Sequence, residues 1–477
     1  MAGSGPHARL DPMKNCRETD FAYQAVYRYL TTLINEMGSE SRVRLPSLRQ
    51  LADRLNVSIS TIQYAYSLLE KEGRVYSIAK SGYYALPMPS VTPLDGGGDL
   101  LETLYVNARR PGMQVLSADE PASIQPLDSP LLLLERELLR QYPRSLQTPS
   151  QPWGELELRT ALAARYTSSP ARCWNADDVY IGADLRGVLE ILIAALSLRG
   201  AVVLVESPCD WTVLRLLQEA EIKVIELPLL ANGEIPVERL GQLLVGEAVR
   251  LVVLSSTLSM PRATLVPEEN RRAVAELLER HGTWVLENDG YSELVFETGI
   301  TPFRDLLDPD RLIVYSSFEK TIGAEAPYGY VLSRQLTLNL QRHFLLRAFR
   351  LSPIRQKAIA RLYSNGRIDQ HLVVLRRLLR ESAVSTTQLL RERLGDGLQW
   401  AEPQGGATIW IRSVRPVDLR RVFHRLLAQR IVIAPGELFS LQGLYGQHMR
   451  VTHALGGHQD LDAVLGTLAD ALRLEQS

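Results

Sequence analysis

Five short apolar runs constrain this chain more than anything else in it: "AVVLVES" (201–207), "KVIELPL" (223–229), "LVVLSS" (251–256), "TWVLEND" (283–289) and "RLIVYSS" (311–317). Each is too short for a helix, rich in β-branched residues, and nearly continuous rather than alternating. That is how strands buried on both faces read. Stretches of helical period lie between them, among them "RGVLEILIAALSL" and "ENRRAVAELLERHG". Strands that alternate with helices are joined by crossovers, which makes the sheet largely parallel and covers both its faces. Functional groups then belong at the carboxyl ends of the strands.

At 477 residues the chain is long enough for two or three domains. A composition of 45% hydrophobic and 22% charged residues suits a soluble protein with a large core. The net charge of −1 excludes a molecule that binds nucleic acid through its overall charge. The charge is uneven, however. Residues 14–87 hold ten Lys/Arg against seven Asp/Glu, a local excess a DNA-binding module can use. Cys16, Cys173 and Cys209 lie far apart without metal-ligand spacing, so neither a disulfide framework nor a metal site is expected. No apolar run is long enough to span a bilayer, and "MAGSGPHARLDPMKN" lacks a signal-peptide core. The expected location is the cytoplasm, with Met13 a candidate initiator and residues 1–12 an added leader.

The segment 14–86 reads as a separate module. Phe21, Ala25, Val26, Tyr29, Leu30, Leu33 and Met37 recur at helical spacing, so a first helix is predicted over about 20–37. "LRQLADRLNV" forms a second, and after a break at Asn56-Val57 either Ser58 or Ser60 caps a third, "STIQYAYSLLEKEG". "RVYSIAKSGYYALP" then alternates like a hairpin. Three helices and a hairpin make a winged helix-turn-helix. Ser60, Thr61, Gln63 and Tyr64 stand early in the third helix, where side chains reach base edges in a major groove. Arg49 and Lys80 suit phosphate contacts. "LPSLRQLADRLNVSISTI" and "LLEKEGRVYS" resemble the GntR-type winged helix, although Ile59 and Gln63 stand where that family often has arginines. "PMPSVTPLDGGGD" (87–99) reads as a flexible linker, leaving 100–477 as the second module.

A site for pyridoxal 5'-phosphate (PLP) needs a lysine amine, an acid at the pyridine nitrogen, a donor to the ring oxygen, a stacking ring and a phosphate cup. Six stretches supply candidates in order: "PWGELELRTALAARY", "YIGADLRGVLEIL", "VESPCDWTVLRLL", "LENDGYSEL", "SSFEKTIGAEAPYGY", and "APGELF" with "HMRVTHA". In this order they resemble fold-type I aminotransferases over nearly all of 110–475. Behind a GntR-type winged helix, the whole is similar to the MocR subfamily of bacterial transcription regulators. The resemblance implies a large PLP-transferase-like domain with a small C-terminal α+β part, a homodimer, and a small-molecule effector that controls binding to a DNA operator.

Carried onto this sequence, the resemblance places Lys320 at the cofactor lysine, Ser317 at a phosphate contact and Tyr291 at the ring-oxygen donor. Gly182 falls in the turn into the cup helix, and Arg450 at the ligand-carboxylate arginine. The departures share one sign. The ring-nitrogen aspartate falls on Asn288, with Asp289 adjacent. The ring-oxygen asparagine is lost at Met260-Pro261, and the phosphate arginine falls on Pro327, with Arg186 or Arg262 as substitutes. Asp210 takes the stacking position with Trp211 next door, and the glycine turn carries an extra residue at Asp184. No residue is assigned a catalytic role, since these losses disfavour turnover. The expectation is a regulator that senses PLP or a PLP/amino-acid-type ligand. The alternatives are a regulator whose pocket binds no PLP and senses another small ligand, and an active aminotransferase.

Overall fold

Ser47 starts one of the helices by a reciprocal cap. Its hydroxyl accepts from the Gln50 N–H at 3.3 Å, and the Gln50 side chain accepts from the Ser47 N–H at 2.9 Å. The computed structural model describes residues 22–36, 44–71, 74–78, 81–85, 99–141, 151–347, 349–455 and 461–476. Lys80, the leader 1–12, Cys16 and the linker residues 87–98 lie outside the described residues. The chain divides into two compact units, Met1–Asp95 and Gly96–Ser477.

In the first unit, helices α1 (Ala22–Glu36), α2 (Leu48–Leu55) and α3 (Ile59–Lys71) precede an antiparallel pair, β1 (Val75–Ile78) and β2 (Gly82–Ala85). Asn56 ends α2 in the left-handed conformation, φ 51°, which its short side chain tolerates. Ser58, rather than Ser60, caps α3, its hydroxyl accepting from the Thr61 N–H at 3.1 Å. Val26, Leu30, Leu51, Ile62, Leu69 and Val75 form the core with Tyr66. The Tyr66 hydroxyl finds the Pro46 carbonyl at 2.7 Å, and its ring stacks on Tyr83.

The second unit is built on a seven-stranded sheet. Its strands are β3 (Val179–Gly182), β4 (Val202–Ser207), β5 (Lys223–Pro228), β6 (Val249–Ser255), β7 (Trp284–Asn288), β8 (Leu312–Ser317) and β9 (Gly329–Leu332). They lie in the order β3-β9-β8-β7-β6-β4-β5, and only β9 runs antiparallel to its neighbours. Along β7, Val285 enters the core on one face and Leu286 the core on the other, as strand alternation requires. The five expected strands are all present. A smaller sheet of β10 (Leu398–Trp400), β11 (Thr408–Ser413), β12 (Ala434–Pro435) and β13 (His448–Thr452), in the order β10-β11-β13-β12, is packed by helices Leu419–Ala428 and Leu461–Gln476. No helix among the described residues is long and apolar enough to cross a membrane.

One contact fixes how the helix α4 (Leu185–Ala195) leaves β3. Gly182 pairs with Gly329 across the sheet, and the first turn of α4 lies directly over that pair. A Cβ on Gly329 would stand 2.7 Å from the Asp184 backbone oxygen, and one on Gly182 would stand 2.4 Å from a Val188 methyl. The backbone oxygen cannot yield as a side chain can. Gly329→Ala is therefore expected to destabilise this unit by about 1–3 kcal/mol, read as a lower urea midpoint. An unchanged midpoint would show that α4 moves freely against the sheet.

Candidate functional site

Strands β4, β6, β7 and β8 end around one cavity of about 360 Å³. Its exposed rim carries Asp184 and Arg186 at the start of α4, Arg109, and Glu319. Its inner wall carries Glu206 and Asp210 from the β4 end, Ser255 from β6, Asn288 and Tyr291 from β7, and Tyr315, Ser317 and Lys320 from β8 and its following turn. The carboxyl-end expectation thus holds for the cavity.

The Lys320 ammonium donates to the backbone oxygen of Asp119 and stands 3.5 Å from an oxygen of its carboxylate. That same carboxylate oxygen accepts the Tyr291 hydroxyl and lies 3.6 Å from the Arg450 guanidinium. Burial alone would raise the Asp119 carboxyl. Lys320 and Arg450, with the hydrogen bonds from Tyr291 and Lys320, outweigh it and hold the group below its ordinary value. Arg450 is itself 2% exposed, on β13. It also donates to the Ser117 carbonyl at 2.6 Å and lies against the ring faces of Trp211 and Phe439, 4.4 and 5.0 Å from the guanidinium carbon. One buried carboxylate gathers the three side chains.

The fold that brings Lys320, Tyr291 and Arg450 to one carboxylate is that of solved aminotransferases. The multiple substrate aminotransferase of Thermococcus profundus superposes with a TM-score of 0.70 at 21% identity, covering 79% of this chain and 95% of its own. LysN, the α-aminoadipate aminotransferase of Thermus thermophilus, gives 0.70 at 19% identity with the same coverage. At such identities the likeness is one of fold. Residues 140–468 match the family model for aminotransferase class I and II, and residues 22–84 that for bacterial regulatory proteins of the gntR family. The chain belongs to the class I and II aminotransferase family, in the MocR-type arrangement. Its relatives include the HTH-type transcriptional regulator YjiR of Escherichia coli K12, 28% identical over 90% of this chain and 95% of that protein. NorG of Staphylococcus aureus is 19% identical over 89% of this chain and 98% of its own.

Within this MocR-type regulator the expected cofactor residues are placed unevenly. Lys320, Ser317, Tyr291 and Asn288 all line the cavity. Trp211, expected as a stacking ring, is corrected. It opens α5 (Trp211–Glu219) and lies in the core of the small sheet against Phe439, its indole N–H donating to the Tyr105 hydroxyl at 2.9 Å. Gly182 serves helix packing rather than approach to a ligand. Arg450 meets an internal carboxylate. Asp289, the alternative at the ring nitrogen, points to the opposite face of the sheet, where Tyr166 and Arg304 bind it. Arg262 is turned away to the Leu230 and Ala231 carbonyls. Arg186 stays at the rim, bonded to the Tyr105 hydroxyl at 2.6 Å.

PLP belongs to this family in general, and the groups present do not fit it. The lysine and the ring-oxygen donor are both engaged by Asp119. Asn288 is neutral, and its side-chain oxygen accepts from the Gly290 N–H at 3.1 Å. At the start of α4, where a helix N-terminus would receive a phosphate, the Asp184 carboxylate already accepts from the Gly187 N–H at 2.7 Å. Pro327 offers no charge, and Met260 lines the cavity in place of a polar group.

The helix-turn-helix of the MocR-type chain exposes Arg49 at the start of α2, and Ser60, Gln63 and Tyr64 on α3. The Ser60 and Thr61 hydroxyls turn back to Ser58, at 2.8 and 2.7 Å, and the Tyr64 ring meets Tyr23 edge-on. Gln63 is exposed one turn into the helix.

Sequence reading missed Asp119, Arg109, Glu206 and Tyr315. Glu206 and Tyr315 lie within the last three residues of expected strands, so nearness to a strand end was an available signal for both. Asp119 and Arg109 lie in "NARRPGMQVLSADEP", which has no periodic pattern to mark them.

Proposed function

We propose that this MocR-type regulator binds a double-stranded DNA operator as a homodimer in the cytoplasm, and that its aminotransferase-like unit receives a small-molecule effector without turning it over. The observation that carries the reading is the capture of Lys320, Tyr291 and Arg450 by one internal carboxylate, at the end of an open cavity. A cavity kept while its reactive amine is held suits recognition better than chemistry. It supports the alternative in which the effector is not PLP. An apolar set on the helix Thr337–Arg347, with Leu338 82% exposed beside Leu345 and Leu346, supports self-association, which would cover it.

Arg49 is assigned to phosphate contact and Gln63 to base readout, with Ser60, Thr61 and Tyr64 around it and Lys80 in the wing. Titrating the full chain onto operator DNA at several salt concentrations tests this. Arg49→Ala is expected to weaken binding to every sequence and to lower the salt slope by about one. Gln63→Ala should cost about 1–3 kcal/mol on the operator and little on unrelated DNA. Equal, sequence-independent losses from both would remove Gln63 as a base reader.

A further inference from the structure

The cavity separates its charges by depth. Its arginines, Arg109 and Arg186, are exposed at the rim, where both guanidinia lie over the Tyr105 ring at 5.6 and 5.3 Å. Lys320, the cation further in, is neutralised by Asp119. The inner wall is acidic. Glu206 is only 5% exposed, and its carboxylate accepts from the Ser255 N–H at 3.0 Å and the Ser255 hydroxyl at 3.1 Å. Asp210 uses one oxygen to cap α5, accepting from the Thr212 N–H at 2.7 Å. Neither is within ion-pair distance of a cation in the salt bridges of the described residues. Arg262 acts on Glu206 only from further off, its guanidinium given to the Leu230 and Ala231 carbonyls, and a buried carboxylate so weakly compensated is costly.

A third group points to what is missing. Tyr315 lines the same wall; the residue is 1% exposed, and its hydroxyl is buried without a hydrogen-bond partner. Cys209, Asp210 and Glu206 are near enough to act on it electrostatically. Three acceptors therefore face one space, while Lys320, Tyr291 and Arg450 are drawn to Asp119 and Asp184 takes one N–H at the start of α4.

We propose that this inner wall binds a protonated organic amine, its ammonium held between Glu206 and Asp210 with the Tyr315 oxygen as a third acceptor. An ammonium has three N–H donors and one charge, which matches two carboxylates and a phenol oxygen. The cavity volume limits the ligand to a small molecule. Burial raises the Glu206 carboxyl above its ordinary value, and a cation docking there relieves that cost. The assignment rests on the effector reading above and narrows it to a chemical class: an amine recognised by charge and hydrogen bonds, with no covalent step at Lys320.

Calorimetric titration of the full chain with 1,4-diaminobutane, with succinate and PLP as anionic probes, tests it. The diamine is expected to bind, and Glu206→Gln and Asp210→Asn are each expected to weaken it at least about tenfold. Asparagine still caps a helix, so Asp210→Asn decides alone if the buried Glu206→Gln does not fold. No diamine binding, or binding indifferent to Asp210→Asn, overturns the assignment. Operator affinity measured alongside separates the two claims. Succinate or PLP binding in the diamine's place, with a shift in operator affinity, would overturn the amine and keep the effector reading. Diamine binding that needs both carboxylates but leaves operator affinity unmoved would support the site and defeat the sensing role.

Discussion

Replacing Arg304 by alanine is expected to cost about 3–5 kcal/mol of stability near pH 8 and distinctly less near pH 5. On the face of the sheet opposite the cavity, the Arg304 guanidinium bridges Asp289 and Glu287, the latter at 3.2 Å, and lies 4.9 Å over the Tyr166 ring. The Tyr166 hydroxyl donates to Asp289 at 2.6 Å, and the Ser256 hydroxyl donates to Glu287. Both carboxylates are buried, so removing the one guanidinium leaves two charges without a cation. Burial pushes the Glu287 carboxyl up to about 7, with Arg304 opposing and Asp289 adding to the rise. A carboxyl raised in the folded state binds its proton more tightly there than in the unfolded chain. Stability therefore falls as pH rises from the ordinary carboxylate range through about 7. Without Arg304 the rise is larger, so the variant's deficit widens with pH, while protonation of Glu287 relieves it at the acid end. Urea unfolding at the two pH values reads the difference. A deficit that is equal at both would mean that lost packing, not uncompensated charge, sets the cost.

Excess PLP, added with an amino acid and a keto acid, is expected to produce no visible absorption band and no steady-state transamination. The physical reason is the accumulation of small losses. Asn288 cannot hold a pyridinium proton as a carboxylate does, and Pro327 forfeits an arginine–phosphate pair. Charge-assisted contacts are worth about 1.5–3 kcal/mol each, so losing two lowers affinity about a hundredfold or more. The tie between Lys320 and Asp119 adds to this, because the amine must leave a buried carboxylate and shed its proton before it can attack an aldehyde. Lys320→Ala should then leave operator binding unchanged. A saturable visible band that disappears in Lys320→Ala would sink the expectation, and robust turnover would restore the enzyme reading.

Much of this was written locally. The apolar runs 201–207, 251–256, 283–289 and 311–317 became strands where their composition placed them, because burial on both faces is a property of a few consecutive residues. The helix-turn-helix was legible for the same reason, in the spacing of Leu51, Leu55, Ile62, Tyr66 and Leu69 and the break at Asn56. The order of the motifs brought Lys320, Ser317, Tyr291 and Asn288 to one cavity. Tertiary structure alone decided the rest. Whether Asn288 or Asp289 faces the cavity is a single step of strand alternation, set by which face of β7 packs where. Trp211 lies beside Asp210 in the chain, yet the turn into α5 sends one to the cavity wall and the other into the small-sheet core. Asp119 meets Lys320 across 201 positions of sequence, and no local pattern encodes a contact made only once both sheets are in place. The fold was in the periodicity of neighbours; the chemistry of the cavity was in pairs of charges that only folding brings within reach.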